Sequence, residues 1–141
     1  MISELDCVDG VWGSVDDDGI ARLEIDRPKQ MNALDGPASA RVMALCTEWA
    51  ARDDVRVVIL SGRGGSFSTG ADVAGMATSS ASAGGFGVDA SRAIIENGSN
   101  LVRAIRGLPM PVVAALDGPA VGIGASMAVA ADLIYDGRDG D

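Results

Sequence analysis

The chain has 141 residues, 48% hydrophobic and 22% charged, which is enough apolar material for a single globular domain with a sizeable core. A net charge of −9 with one lysine, Lys29, argues against nucleic acid as a partner, because phosphate backbones are held by clustered Lys and Arg. No histidine occurs, which removes Ser–His and Cys–His nucleophile pairs and histidine metal sites.

The N-terminal MISELDCVDG has early acids and neither a basic n-region nor an apolar h-region, so no secretory leader is expected and the cytoplasm is the expected compartment. Cys7 and Cys46 make no CxxC and are too few for a disulfide framework, so reduced thiols are expected. IARLEID, Ile20 to Asp26, alternates apolar and polar with the period of a half-buried strand. VDGVWGSV before it, joined through Asp16-Asp17-Asp18-Gly19, is its expected hairpin partner.

After RPKQMNALD the spacing predicts a helix with Asp35 as N-cap and Pro37 in the first turn. Val42, Leu45, Cys46 and Trp49 recur at i, i+3, i+4 and i+7 and should face the core. VRVVIL, Val55 to Leu60, is short, β-branched and continuous, as a strand covered on both faces would be. SGRGGSFSTGADV is a glycine-punctuated loop in which Asp72 could cap a short helical turn, and residues 77–87 read as a mobile surface loop. A second helix, about Asp89 to Arg106, should bury Ile94, Leu101, Val102 and Ile105 and stop at Gly107 and Pro109.

PVVAAL, Pro111 to Leu116, is another buried strand, and Asp117-Gly118 a turn. GPAVGIGASMAVAADL continues into a helix from about Ile123 to Ala131, Asp132 reads as a helix-end residue, and LIY starts a further strand. The apolar run between Asp117 and Asp132 is about 14 residues, short of the ~20 a membrane-spanning helix needs. Its glycines lack the Lys-Ser/Thr ending of a P-loop and the spacing of a dinucleotide fingerprint. The element order β-β-α-β-α-β-α-β is that of an α/β protein, read as one domain over residues 1–141.

RPKQMNAL at Arg27 to Leu34, GSFSTGADVAGM at Gly65 to Met76 and PVVAALDGPAVGIGASMAVAADLIY at Pro111 to Tyr135, in that order, resemble the crotonase superfamily of enoyl-CoA hydratases and isomerases. The resemblance runs through nearly the whole chain and corresponds to roughly the N-terminal half of a family domain. It implies an α/β spiral of ββα units, incomplete at its C-terminus. It also implies an acyl-CoA or enoyl-CoA thioester as partner, with coenzyme A entering as part of the substrate and no separate cofactor. Family members build trimers through C-terminal helices that this chain does not include, so a homo-oligomer formed through exposed apolar surface is expected, its geometry left open, with neither nucleic acid nor membrane as an expected partner.

Family chemistry needs donors for the enolate oxygen formed from the thioester carbonyl, and backbone N–H groups supply them. The resemblance assigns these to Ala71, after the glycine of Gly70-Ala71-Asp72, and to Ile123, the middle of Gly122-Ile123-Gly124. Gly122 and Gly124 would let substrate approach the backbone; the competing reading is that the glycines permit close strand-to-helix packing. For Arg27 and Lys29 two readings stand, contact with CoA phosphates or a solvated pair.

Two departures from the family pattern bear on the reaction. Gly-Ile-Gly replaces Gly-Gly-Gly, and GPAVGIG is closer to the Δ3,Δ2-enoyl-CoA isomerase branch than to the hydratases. Ser126 stands where hydratases carry their first catalytic glutamate, and a hydroxyl without a base cannot act as acid or base near neutrality. Ser126 is therefore read as a small packing residue beside the substrate. The isomerase glutamate is implied downstream of LIY, past Asp141. An isomerase-like acyl-CoA enzyme is the leading expectation, and a non-catalytic acyl-CoA-binding or subunit-interaction protein the alternative.

Overall fold

The computed structural model describes residues 2–72 and 88–137. In chain order they form β1 (Ile2–Val8), β2 (Val11–Asp16), β3 (Ile20–Ile25), α1 (Gly36–Ala50), β4 (Val57–Gly62), α2 (Val88–Arg106), β5 (Val112–Leu116), α3 (Ile123–Ala130) and β6 (Leu133–Asp136). The strands lie in one sheet in sequence order. β1, β2 and β3 pair antiparallel, and β3 through β6 pair parallel. Antiparallel strands need only tight turns, whereas parallel neighbours need a crossover, and the helices fall in those crossovers.

Turn chemistry fixes the two hairpins. Asp9 and Gly10, at φ 54° and 81°, make the two-residue connection of β1 to β2. Between β2 and β3 the Asp16 carboxylate accepts from the N–H groups of Asp18 and Ile20 and from Arg22 Nη1 at 2.8 Å. The Arg22 guanidinium holds this carboxyl below the usual range. The expected hairpin is present; β1 is an additional strand that the weakly patterned ISELDCV did not announce.

One face of the sheet carries the core. Register stacks Ala21 on Val58 and Val112, and Leu23 on Leu60 and Ala114, all buried. Over them pack Val42, Leu45, Cys46 and Trp49 of α1, Leu101 and Ile105 of α2, and Met127 and Ala128 of α3. Burial pushes the Cys46 thiol up to about 11. The Asp35 carboxylate accepts from Ala38 N–H at 2.9 Å, an N-cap worth about 1 kcal/mol.

Three expectations change. β4 begins at Val57 rather than Val55, and its second face, with Val57 and Ile59, is only partly buried among the described residues. Ile94 and Val102 of α2 are half-buried rather than core. They line a groove between α2 and α3 instead. α3 ends at Ala130, where Asp132 takes over: its N–H donates to Val112 C=O and its Oδ2 accepts from Val112 N–H, both at 2.8 Å. That reciprocal pair joins the start of β6 to the start of β5. The helical turn expected after Asp72 and the loop expected at 77–87 lie outside the described residues. No described helix is long and apolar enough to cross a membrane.

Candidate active site

In open α/β sheets ligands bind outside the carboxyl ends of the parallel strands. Two glycine-rich segments meet there, residues 65–71 after β4 and 118–124 after β5. Phe67 and Ser68 N–H donate to Pro119 C=O at 3.0 and 3.3 Å, and Val121 N–H donates to Ser68 C=O at 3.0 Å. Close packing is forced at Gly124, where a Cβ would stand 2.2 Å from the Ser68 carbonyl oxygen. The space beside Gly124 is therefore filled by Ser68, as the close-packing reading of this glycine has it. Gly122 fits the reading of substrate approach better: its φ is 58° and a Cβ there would meet nothing within 4 Å.

The Ala71 N–H is aimed by its own peptide plane. Leu34 N–H donates to Gly70 C=O at 2.7 Å, and a trans peptide points the following N–H the opposite way, away from Leu34. Gly70, at φ 103°, is adjacent to the second segment: a Cβ on it would lie 3.4 Å from Ile123 N. Ile123 is the first residue of α3, so its N–H has no intrahelical acceptor and sits at the positive end of the helix dipole. Neither N–H has a hydrogen-bond acceptor among the described residues.

A buried network holds the first segment. Ser68 Oγ donates to Asn32 C=O at 2.9 Å and accepts from Gly70 N–H at 3.2 Å. Asn32 is fully buried at φ 60°; its Oδ1 accepts from Arg27 N–H, and its Nδ2 donates to the carbonyls of Arg63 and Ser66, all at 2.7 Å. Arg27 is neither a free phosphate ligand nor a solvated residue. Its side chain, 13% exposed, donates to Ala33 C=O and pairs with Asp35 at 3.1 Å and Asp72 at 3.3 Å. Asp72 is likewise part of this scaffold. Lys29 is exposed on the short 3-10 turn Pro28–Gln30. Arg63, stacked 4.9 Å from the Trp12 ring centroid and bonded to Glu24, ties the loop after β4 to the hairpin.

Beside the second segment lies a groove of about 600 Å³ between α2 and α3. Gly122 at the N-cap of α3 and Ile123 and Ser126 within it line one side, and Ile94, Ile95, Gly98, Ser99, Val102 and Arg103 of α2 the other. Ser126 faces this groove rather than the core, and its hydroxyl donates to Gly122 C=O at 3.3 Å. Among the described residues no carboxylate lines the groove. A separate concavity of about 390 Å³ between Asp6, Arg41 and Glu48 shares no residue with the groove. Among the described residues no group of His, Cys, Asp and Glu could hold a metal ion.

Asn32, Ser68 and Gly98 were not singled out from the sequence. A polar residue amid the apolar Met31, Ala33 and Leu34, and a glycine inside an amphipathic helix, were the available signals.

Residues 16–140 match the family model described as enoyl-CoA hydratase/isomerase, and the chain belongs to that family, within the crotonase fold. It is 34% identical over 117 residues to a probable enoyl-CoA hydratase of Rhodobacter capsulatus, covering 83% of this chain and 42% of that protein. It is 30% identical over 121 residues to the 1,2-epoxyphenylacetyl-CoA isomerase of Escherichia coli K12, covering 85% and 45%. The crystal structure of an enoyl-CoA hydratase from Mycobacterium avium subsp. paratuberculosis superposes with a TM-score of 0.72 at 33% identity, over 90% of this chain and 44% of that one. The chain thus spans less than half the length of these relatives.

Proposed function

We propose that this chain binds an acyl-CoA thioester at the ends of β4 and β5, with the thioester oxygen accepting from the N–H groups of Ala71 and Ile123. The observation that carries the reading is that both donors lack an acceptor among the described residues while a Cβ on Gly70 would lie 3.4 Å from Ile123 N. As electron density moves from the α-carbon into the carbonyl, these fixed donors meet the developing charge without reorganising, and each is worth about 2.7–4 kcal/mol of barrier. Lys29 is the cation assigned to the CoA phosphates, since Arg27 is engaged by Asp35 and Asp72.

An isomerase-like reaction is favoured over hydration. Hydration uses two carboxylates, and Ser126 stands where the first is expected; isomerisation needs one carboxylate to move a proton between the α and γ carbons. The second reading, binding without turnover, draws on the absence of any carboxylate among the described residues that line the groove. Self-association would cover the exposed Leu133, Ile134 and Tyr135 of β6.

The test is a pair of substitutions at one position. Ile123→Pro removes the donor at the first helical residue, where proline suits a helix, while Ile123→Ala keeps it. Incubation with 3-enoyl-CoA and 2-enoyl-CoA follows isomerisation and hydration, alongside an acyl-CoA titration. Ile123→Pro should weaken acyl-CoA binding and lower any turnover by about 100-fold or more, with Ile123→Ala changing both much less. Equal behaviour of the two folded variants overturns the assignment of Ile123. Acyl-CoA binding by the native chain without any turnover selects the second reading.

A further inference from the structure

Gly98 lies in the interior of α2, where a glycine weakens a helix and where no positive φ requires one. Its missing side chain is filled by a neighbour. A Cβ on Gly98 would stand 2.9 Å from Ile123 Cδ1 and 3.0 Å from Ile123 Cγ1. The branched side chain of Gly-Ile-Gly is therefore seated in a notch of α2.

We infer that Gly98 and Ile123 form a matched pair that sets acyl-group selectivity, keeping the groove between α2 and α3 open for an extended hydrocarbon acyl chain. The inference rests on the acyl-CoA reading and adds the chemical class of the acyl group. Ile94, Ile95, Val102 and Ile123 line the groove, and Ile95 is 68% exposed, a large apolar surface that a hydrocarbon ligand would remove from water. Among the described lining residues Arg103 is the one that is charged. An added methyl at Gly98 takes the notch away, and Ile123, fixed at the first turn of α3, must then turn its side chain into the groove. Short acyl groups would still fit and longer ones would not.

The experiment measures affinities for CoA, butyryl-CoA, octanoyl-CoA and glutaryl-CoA in the native chain, Gly98→Ala, Ile123→Ala and the double variant, with folding checked by circular dichroism. The native chain should prefer octanoyl-CoA to butyryl-CoA. Gly98→Ala should lower octanoyl-CoA affinity about tenfold, the effect of one or two excluded methylenes, and leave butyryl-CoA within about twofold. The double variant should recover octanoyl-CoA binding, because the side chain shortened by Ile123→Ala no longer needs the notch. Equal losses for both acyl lengths, failure of the double variant to recover, or a preference for glutaryl-CoA that assigns the groove to Arg103 would each overturn the inference. If Gly98→Ala does not fold, Ile123→Ala decides alone: emptying the notch should raise affinity for octanoyl-CoA relative to butyryl-CoA, and an unchanged ratio overturns the pairing. Indifference of the native chain to acyl length sinks this inference only. Failure to bind any acyl-CoA more tightly than CoA sinks the acyl-CoA reading and this one together.

Discussion

The segments that bring Ala71 and Ile123 together leave neighbouring parallel strands, yet they are held by different means. Residues 65–71 hang on side chains: Ser68 Oγ takes the Gly70 N–H, Asn32 takes three backbone partners, and Arg27 bridges Asp35 and Asp72. Residues 118–124 offer almost no polar side chains, and are placed by backbone bonds to Ser68 and by glycines that let main chains touch. The first segment is positioned by hydrogen-bond geometry and the second by excluded volume. Damage to the first should appear as unsatisfied polar groups, and damage to the second as displacement of one main chain from the other.

The largest effect is expected from Asn32→Ala. It strands an N–H and two carbonyls in a buried site and puts a Cβ-bearing residue without a polar side chain at φ 60°, so a loss of about 3–5 kcal/mol is expected. Urea unfolding measures it, and a loss under about 1 kcal/mol would mean water replaces the amide at no cost. Gly124→Ala comes next, at about 1–3 kcal/mol, because the new Cβ meets backbone at Ser68 rather than a flexible side chain. It should also widen the gap between the two donors and weaken acyl-CoA binding more than its stability loss alone predicts. If affinity is kept in the folded fraction, excluded volume does not place Ile123. Ser68→Ala is the smallest and most diagnostic change: about 1–2 kcal/mol for the abandoned Gly70 N–H. Ser68→Thr, which keeps the hydroxyl, should recover the hydrogen bond, and turnover should follow the hydroxyl more closely than KM does. Equal turnover in the alanine and threonine variants would erase the contrast between the two segments.

Much of the scaffold was legible because its signals are local. The period of α1, its Asp35 cap and the burial of Val42, Leu45, Cys46 and Trp49 all follow from spacing within one helix. The alternation of Ile20 to Asp26 likewise named the buried face of β3. Non-local facts were hidden. Whether Arg27 points to solvent or to Asp72 depends on a pairing across 45 positions, and Gly98 has meaning only once Ile123 is beside it. Ile94 and Val102 carried the helical period of core residues, yet their partner is the groove. Of the site, the two proposed donor positions came from a resemblance, and the network around one of them came only with the fold.

The engagement of Arg27 has a kinetic consequence. With that guanidinium paired to two aspartates, a polyphosphate ligand approaches a chain of net charge −9 against its overall field. Its long-range encounter is repulsive, and dissolved salt screens repulsion as readily as attraction. Association should then quicken as ionic strength rises, the reverse of an electrostatically steered enzyme, and the grip on the ligand must come from short-range donors and apolar contact.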